Sequence, residues 1–202
     1  MPPTLLTPEP ADSIATDFTQ PVPDNGYAWW YVDGVSDDGT AAFTIIAFVG
    51  SVFSPYYARA RRKSQPTPVD AKQHVAINAA LYLPGGGKRW AMTERNSTAL
   101  ERTDSLFRVG PSHYEWHGDE LRIAINERCM PFGQKLQGTI CLKAAPKNNI
   151  GFSLHSNSKH YWQPIAPHTD VEVNFKQPNL SWQGSAYIDH NHGAAPLEED
   201  FR

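Results

Sequence analysis

The chain has 202 residues, a formal net charge of −3, 17 prolines and a hydrophobic fraction of 40%. That length suffices for one domain with a sizeable core, and charges of both signs are mixed along it, which leaves no footprint for a nucleic-acid partner. Cys129 and Cys141 are the only cysteines; they are too few for a disulfide scaffold, make no Cys-x-x-Cys zinc pair, and are expected as reduced core thiols.

Residues 1–24 are rich in proline and threonine with little periodicity, and are expected to form a flexible, irregular N-terminal arm. The segment "MPPTLLTPEPADSI" has neither the basic start nor the apolar run of a signal peptide. No stretch approaches the roughly 18 apolar residues of a spanning helix. A soluble protein of the cytoplasm, or one peripheral to the inner or photosynthetic membrane, is therefore expected.

Six tryptophans, eight tyrosines and nine phenylalanines, distributed among prolines, suit short strands joined by turns. Tyr27 to Val35 and Ala41 to Val49 read as a hairpin around "SDDGT", whose Asp38–Gly39 is a strong turn signal. "SPYYARARRKSQPTPVDAKQ" reads as a polar loop. Its basic residues Arg59, Arg61, Arg62 and Lys63 suit a solvated surface or, more sharply, contact with anionic headgroups. Strand-like segments resume with "HVAINAALYL" and "RWAMTER", then "SLFRV", "HYEWHG", "ELRIAINERC" and "KLQGTICLKA". "VEVNF" and "LSWQGSAYID" close the series. Roughly ten strands with short connections and no convincing amphipathic helix predict an all-β, antiparallel meander over residues 25–202, closed as a barrel or barrel-like sandwich.

Two pairs near the C-terminus stand out: His160 and Trp162 in "SKHYWQPIAP", and Tyr187 and Asp189 in "GSAYIDHNHG". Each pair has the two-residue spacing that puts both side chains on one face of a strand. In the last strand Leu180, Trp182, Gly184, Ala186 and Ile188 share one face, and Ser181, Gln183, Ser185, Tyr187, Asp189 and Asn191 the other. The polar row would face water on a sandwich or line the lumen of a ligand-holding barrel, and a bulge at Gly184 would shift the phase.

Other chemistries are weaker. His155, His160, His168, His190 and His192, with Asp189, permit a metal reading and hence a metal-assisted hydrolase, but His190 and His192 fall in an Asn- and Gly-bearing stretch where exposed histidines are common. No Gly-x-Ser-x-Gly elbow is present, and Gly85–Gly87 lacks the strand-to-helix setting of a phosphate loop.

The stretches "GYAWWYVDGVSDDGTAAFTIIAFVGSVFSPYYARAR", "KHYWQPIAP" and "LSWQGSAYIDHNHGAAPLEEDF" resemble, in order and over nearly all of the chain from Gly26, the carotenoid 1,2-hydratase family, also called hydroxyneurosporene synthase. The resemblance implies a lipocalin-like β architecture. It also implies addition of water to the terminal 1,2 double bond of acyclic carotenoids such as neurosporene or lycopene, without any cofactor. Matched by motif, the family's catalytic set falls on His160, Trp162, Tyr187 and Asp189. Family members generally continue into a second β domain, which is expected to be absent or truncated here. A carrier that binds an isoprenoid or other apolar ligand without reacting it is the alternative.

Within that resemblance Asp189 is the expected proton donor, which requires burial to raise its pKa. Trp162 would face the carbocation with its π surface. His160 would relay a proton to Asp189 or take one from water, and Tyr187 would orient Asp189 or the water.

Overall fold

The computed structural model describes residues 7–10, 16–143, 148–154 and 159–197. The strands are Thr7–Pro10 (β1), Tyr27–Ser36 (β2), Ala42–Val49 (β3), Val75–Tyr82 (β4), Lys88–Met92 (β5), Leu100–Arg102 (β6), Leu106–Val109 (β7), Ser112–His117 (β8), Glu120–Arg128 (β9), Lys135–Lys143 (β10), Ile150–Ser153 (β11), His160–Gln177 (β12) and Leu180–Gly193 (β13). All pair antiparallel in one sheet, ordered β5-β4-β3-β2-β13-β12-β10-β9-β8-β7-β6, with β1 and β11 added beside β12. The expected all-β, lipocalin-like architecture is present as a curled half-barrel. The two ends of the sheet approach one another: β5 packs on β9 and β10, and Met130 N–H donates to the Trp90 carbonyl at 2.9 Å.

The curl encloses one principal core. Alternation on each strand sends Trp30, Val32, Phe43, Ile45, Val75 and Ile77 inward to meet Phe107, Tyr114, Ile123 and Ile140 from the opposite side. The core is filled with rings rather than hollow: Trp30 lies 5.1 Å from Phe18 and 5.3 Å from Phe107, centroid to centroid. Phe18 falls in the stretch read as an arm, yet it is fully buried. Arg102 holds the same segment through the carbonyls of Phe18 and Gln20.

A smaller apolar cluster lies on the outer face, where Ile46, Phe48 and Ala76 pack with Trp29, Tyr31, Val52 and Met92. It arises because β2 and β3 are apolar at outward as well as inward positions, leaving this part of the sheet without a polar side.

One expectation is corrected. "PYYARARRKS", read as a loop, is a ten-residue helix, Pro55–Ser64 (α1). Ser54 caps it by accepting from the Tyr57 N–H at 2.9 Å, Pro55 occupies a first-turn position where no N–H is needed, and Arg61, Arg62 and Lys63 complement the dipole in the last turn. The run of charge hid these start signals. Arg61 lies 4.2 Å over the buried Tyr57 ring, while Arg59, Arg62 and Lys63 are exposed.

Both cysteines are free thiols. Among the described residues no helix is long and apolar enough to cross a membrane.

Candidate active site

Strands β12 and β13 are adjacent and antiparallel, and β13 continues the ladder onto β2. Between β13 and β2 the register runs unbroken from Gly184 to Gly193, so no bulge at Gly184 shifts the phase; the irregularities lie in β12 around Pro164, Ala166 and Thr169. Gly184 allows the two backbones to approach, since a Cβ there would lie 2.0 Å from the Val35 carbonyl oxygen. With the phase kept, Ala186, Ile188 and His190 point into the core, and Tyr187, Asp189 and Asn191 face outward. The polar row therefore lies on the outer face, beside the smaller apolar cluster, and not in a lumen.

Rungs of the sheet bring the site residues together. Asn191 pairs with Trp162 on one side and Trp29 on the other; Asp189 pairs with Pro164 and Tyr31. Trp162 Nε1–H donates to Asp189 Oδ2 at 3.1 Å and to the Tyr187 hydroxyl at 3.2 Å. The Tyr187 hydroxyl donates to the same Oδ2 at 2.9 Å, and the Asn191 amide donates to Oδ1 at 2.8 Å. Phe152 stacks on Trp162 with centroids 5.3 Å apart.

Asp189 is only 9% exposed. Burial raises its carboxyl from 3.8 to about 6; the nearby Asp33 charge pushes the same way, while the donors from Tyr187, Trp162 and Asn191 pull it back down. Burial, with the charge of Asp189 second, also raises the Tyr187 phenol, which stays a neutral donor. The result is a carboxyl group that keeps its proton up to about pH 6 and accepts a hydrogen bond from an indole N–H.

His160 lies elsewhere on this face. It is fully buried, opposite Gly193, with Nδ1 hydrogen-bonded to the Tyr27 hydroxyl at 3.0 Å and the two rings stacked. Gly193 and Asp189 are four rungs apart on β13, roughly 13 Å along the strand. Three of the four anticipated residues thus form one hydrogen-bonded group, and His160 is placed further along the ladder, on Tyr27.

The histidines do not converge. His190 and His192 lie within β13 and are not exposed turn residues: they stack on each other at 5.2 Å, and His190 also stacks on Trp30 at 4.6 Å. Burial depresses His190 to about 3, so it is neutral, with Nδ1–H donating to the Trp29 carbonyl at 3.0 Å. His168 is exposed, and His155 lies outside the described residues. Among those described, no group of three or more His, Cys, Asp or Glu side chains is placed to hold a metal ion.

Sequence reasoning passed over Tyr31 and Asp33, and it put Asn191 on the polar row without giving it a part in the site. Asn191 extends the outward row of Tyr187 and Asp189 by one more two-residue step. Tyr31 and Asp33 form "YVD" on β2, and the Tyr31 hydroxyl donates to Asp33 Oδ2 at 2.9 Å. The signal was present in the sequence, since "YVD" repeats the spacing of "YID" at 187–189.

The sequence profile described as carotenoid hydratase CrtC matches residues 45–202. The chain is 46% identical over 177 residues to an acyclic carotenoid 1,2-hydratase of Thiocapsa roseopersicina, covering 88% of this chain and 43% of that one. Identity to an acyclic carotenoid 1,2-hydratase of Rubrivivax gelatinosus is 44% over 190 residues, covering 93% and 46% respectively. The chain spans less than half the length of these relatives. Among solved structures, a Nitrosomonas europaea protein provisionally labelled AttH is similar in fold, with a TM-score of 0.53 and 15% identity over 85% of this chain and 52% of that one.

Proposed function

The chain belongs to the carotenoid hydratase family, and from that premise we propose that it adds water to the terminal 1,2 double bond of acyclic carotenoids such as neurosporene or lycopene. The observation that carries this reading is the hydrogen-bonded group of Asp189, Trp162 and Tyr187, in which burial raises the carboxyl to about 6. Hydration of an unactivated trisubstituted alkene begins with proton transfer to carbon and passes through a tertiary cation. Asp189 supplies the proton. The Trp162 ring, with Phe152 stacked on it, supplies a π surface for the cation, worth about 2 kcal/mol or more when desolvated. Tyr187 fixes the carboxyl by donating to Oδ2. His160, bonded to Tyr27, is a positioning residue that supports the end of β12 next to Trp162. No cofactor is required by this sequence of steps.

The test is incubation of the purified protein with neurosporene and with lycopene in detergent or vesicles, followed by chromatography for a hydroxylated product. Product formation supports the hydratase. Retained ligand with no product points to the carrier instead. The ring-filled interior already argues against a carrier of the lumen-binding kind.

A substrate of this class resides in membrane, and α1 offers a contact. Phe53 and Tyr56 are 60% and 69% exposed, next to exposed Arg59, Arg62 and Lys63. Phe53 packs on Phe48 and Phe48 on Trp29, so an aromatic path leads from this edge toward the rung that holds Asn191 and Trp162. Binding to anionic vesicles is expected, at about 1 kcal/mol per basic residue near the surface, and it should weaken in high salt and on changing Arg59, Arg62 and Lys63 to glutamine. Sedimentation with vesicles that survives high salt unchanged would rule out the electrostatic contribution.

A further inference from the structure

Two Tyr-x-Asp sequences face each other across the ladder of β2 and β13. The register sets Asp33 opposite Tyr187 and Asp189 opposite Tyr31. In each strand the phenol donates to the carboxylate two residues on, at 2.9 Å in both cases, and the Tyr31 and Tyr187 rings meet edge to face with centroids 6.3 Å apart. Asp33 and Asp189 are diagonal neighbours, which on antiparallel strands lie roughly 7–8 Å apart. That diagonal puts both carboxyl-bearing side chains on one face of the sheet, close enough for the Asp33 charge to act on Asp189.

The two carboxylates have different surroundings. Asp189 is buried and takes three donors. Asp33 is half-buried and lines an open groove of about 390 Å³ with Thr44, Tyr82, His168 and Tyr187. The titratable groups facing this pair are Tyr31 and Tyr187 from the two strands and Tyr82 and His168 across the groove; Thr44, Trp162 and Asn191 are the neutral polar ones. Water thus has access on the Asp33 side, while His160 is fully buried and four rungs away.

We propose that Asp33 is a second catalytic residue, the base that takes a proton from the attacking water, an assignment that rests on the hydration reading above. Asp189 gives its carboxyl proton to the alkene carbon and becomes a carboxylate. The adjoining tertiary carbon, left with a positive charge, accepts a lone pair from water. As the C–O bond forms, one O–H bond of that water breaks and its proton passes to the Asp33 carboxylate, leaving a neutral tertiary alcohol. Exchange with solvent through the groove then deprotonates Asp33 and restores the proton on Asp189. The buried Asp189 is the acid, and Asp33, which accepts from the Tyr31 hydroxyl at the edge of the groove, is the base.

The experiment compares wild type with Asp33→Asn over a range of pH, with lycopene as substrate and quenching of tryptophan fluorescence as the measure of binding. Asp33→Asn is expected to lower kcat by about 10²-fold or more and to leave binding intact, while the alkaline limb set by Asp189 persists. Tyr31→Phe, which removes the donor and keeps the carboxylate, is expected to lower kcat by a smaller factor with binding and the alkaline limb unchanged; it serves as the deciding variant if Asp33→Asn does not fold. An active wild type whose kcat is matched by these variants overturns the role of Asp33 alone. A wild type that forms no hydroxylated product overturns the hydration reading and this role with it.

Discussion

Asp189→Asn is expected to lose hydration activity by about 10³-fold or more, the range for removal of a positioned general acid, and at the same time to yield a more stable protein. Both effects come from one fact: the carboxyl is raised from 3.8 to about 6 because it is buried. A folded-state pKa above the unfolded one means that the contribution of the protonated group to stability is fully present below about pH 4 and is lost as pH rises through about 6. Above that point the fold carries a buried carboxylate at a cost of up to about 3 kcal/mol. Asparagine has the same shape and cannot ionise. Denaturant unfolding should therefore show the variant gaining stability at pH 8 and gaining nothing near pH 4. In wild type, the rate should fall with rising pH above about 6, since only the protonated carboxyl can donate. Full activity of Asp189→Asn would sink the acid role, and equal stability of the two proteins at pH 8 would sink the burial account of its acidity.

Trp162→Phe is expected to lower kcat severalfold, less than the roughly 30-fold that loss of the whole contact of about 2 kcal/mol would give, because phenylalanine keeps a weaker π face. It should also move the alkaline limb of the rate profile to higher pH. The indole N–H donates to Asp189 and holds its pKa down; phenylalanine keeps an aromatic ring but cannot donate, so the carboxyl retains its proton further into the alkaline range. The two effects have opposite consequences above neutral pH and are therefore separable: the limb reports the hydrogen bond, and the pH-independent plateau at lower pH reports the ring. An unchanged plateau would exclude the cation-facing role, and an unchanged limb would exclude tuning of the acid through Nε1.

Several features were legible in the residues alone. Alternation in "LSWQGSAYID" placed Tyr187 and Asp189 on one face and Ala186 and Ile188 on the other, and both groups are found so. The hairpin around Asp38–Gly39 joins β2 to β3 as expected. The helix Pro55–Ser64 was missed because its polar, basic character resembles a loop when the cap at Ser54 is not weighed. Phe18 was assigned to an arm because a single aromatic among prolines carries no periodicity, and its burial depends on residues about 90 positions further along the chain, such as Phe107 and Tyr114.

The sequence by itself determined which side chains share a face within a strand, because successive side chains alternate with a period of two and no partner is needed to settle it. Only the tertiary structure decided which strands lie side by side and in what register. That choice set His160 four rungs from Asp189, brought Asp33 and Tyr31 from β2 beside the group, and turned the polar row of β13 outward. The reason is physical: the ring-filled interior requires the apolar rows of β2 and β13, and once they are buried there, the acid and its partners have only the outer face left to occupy.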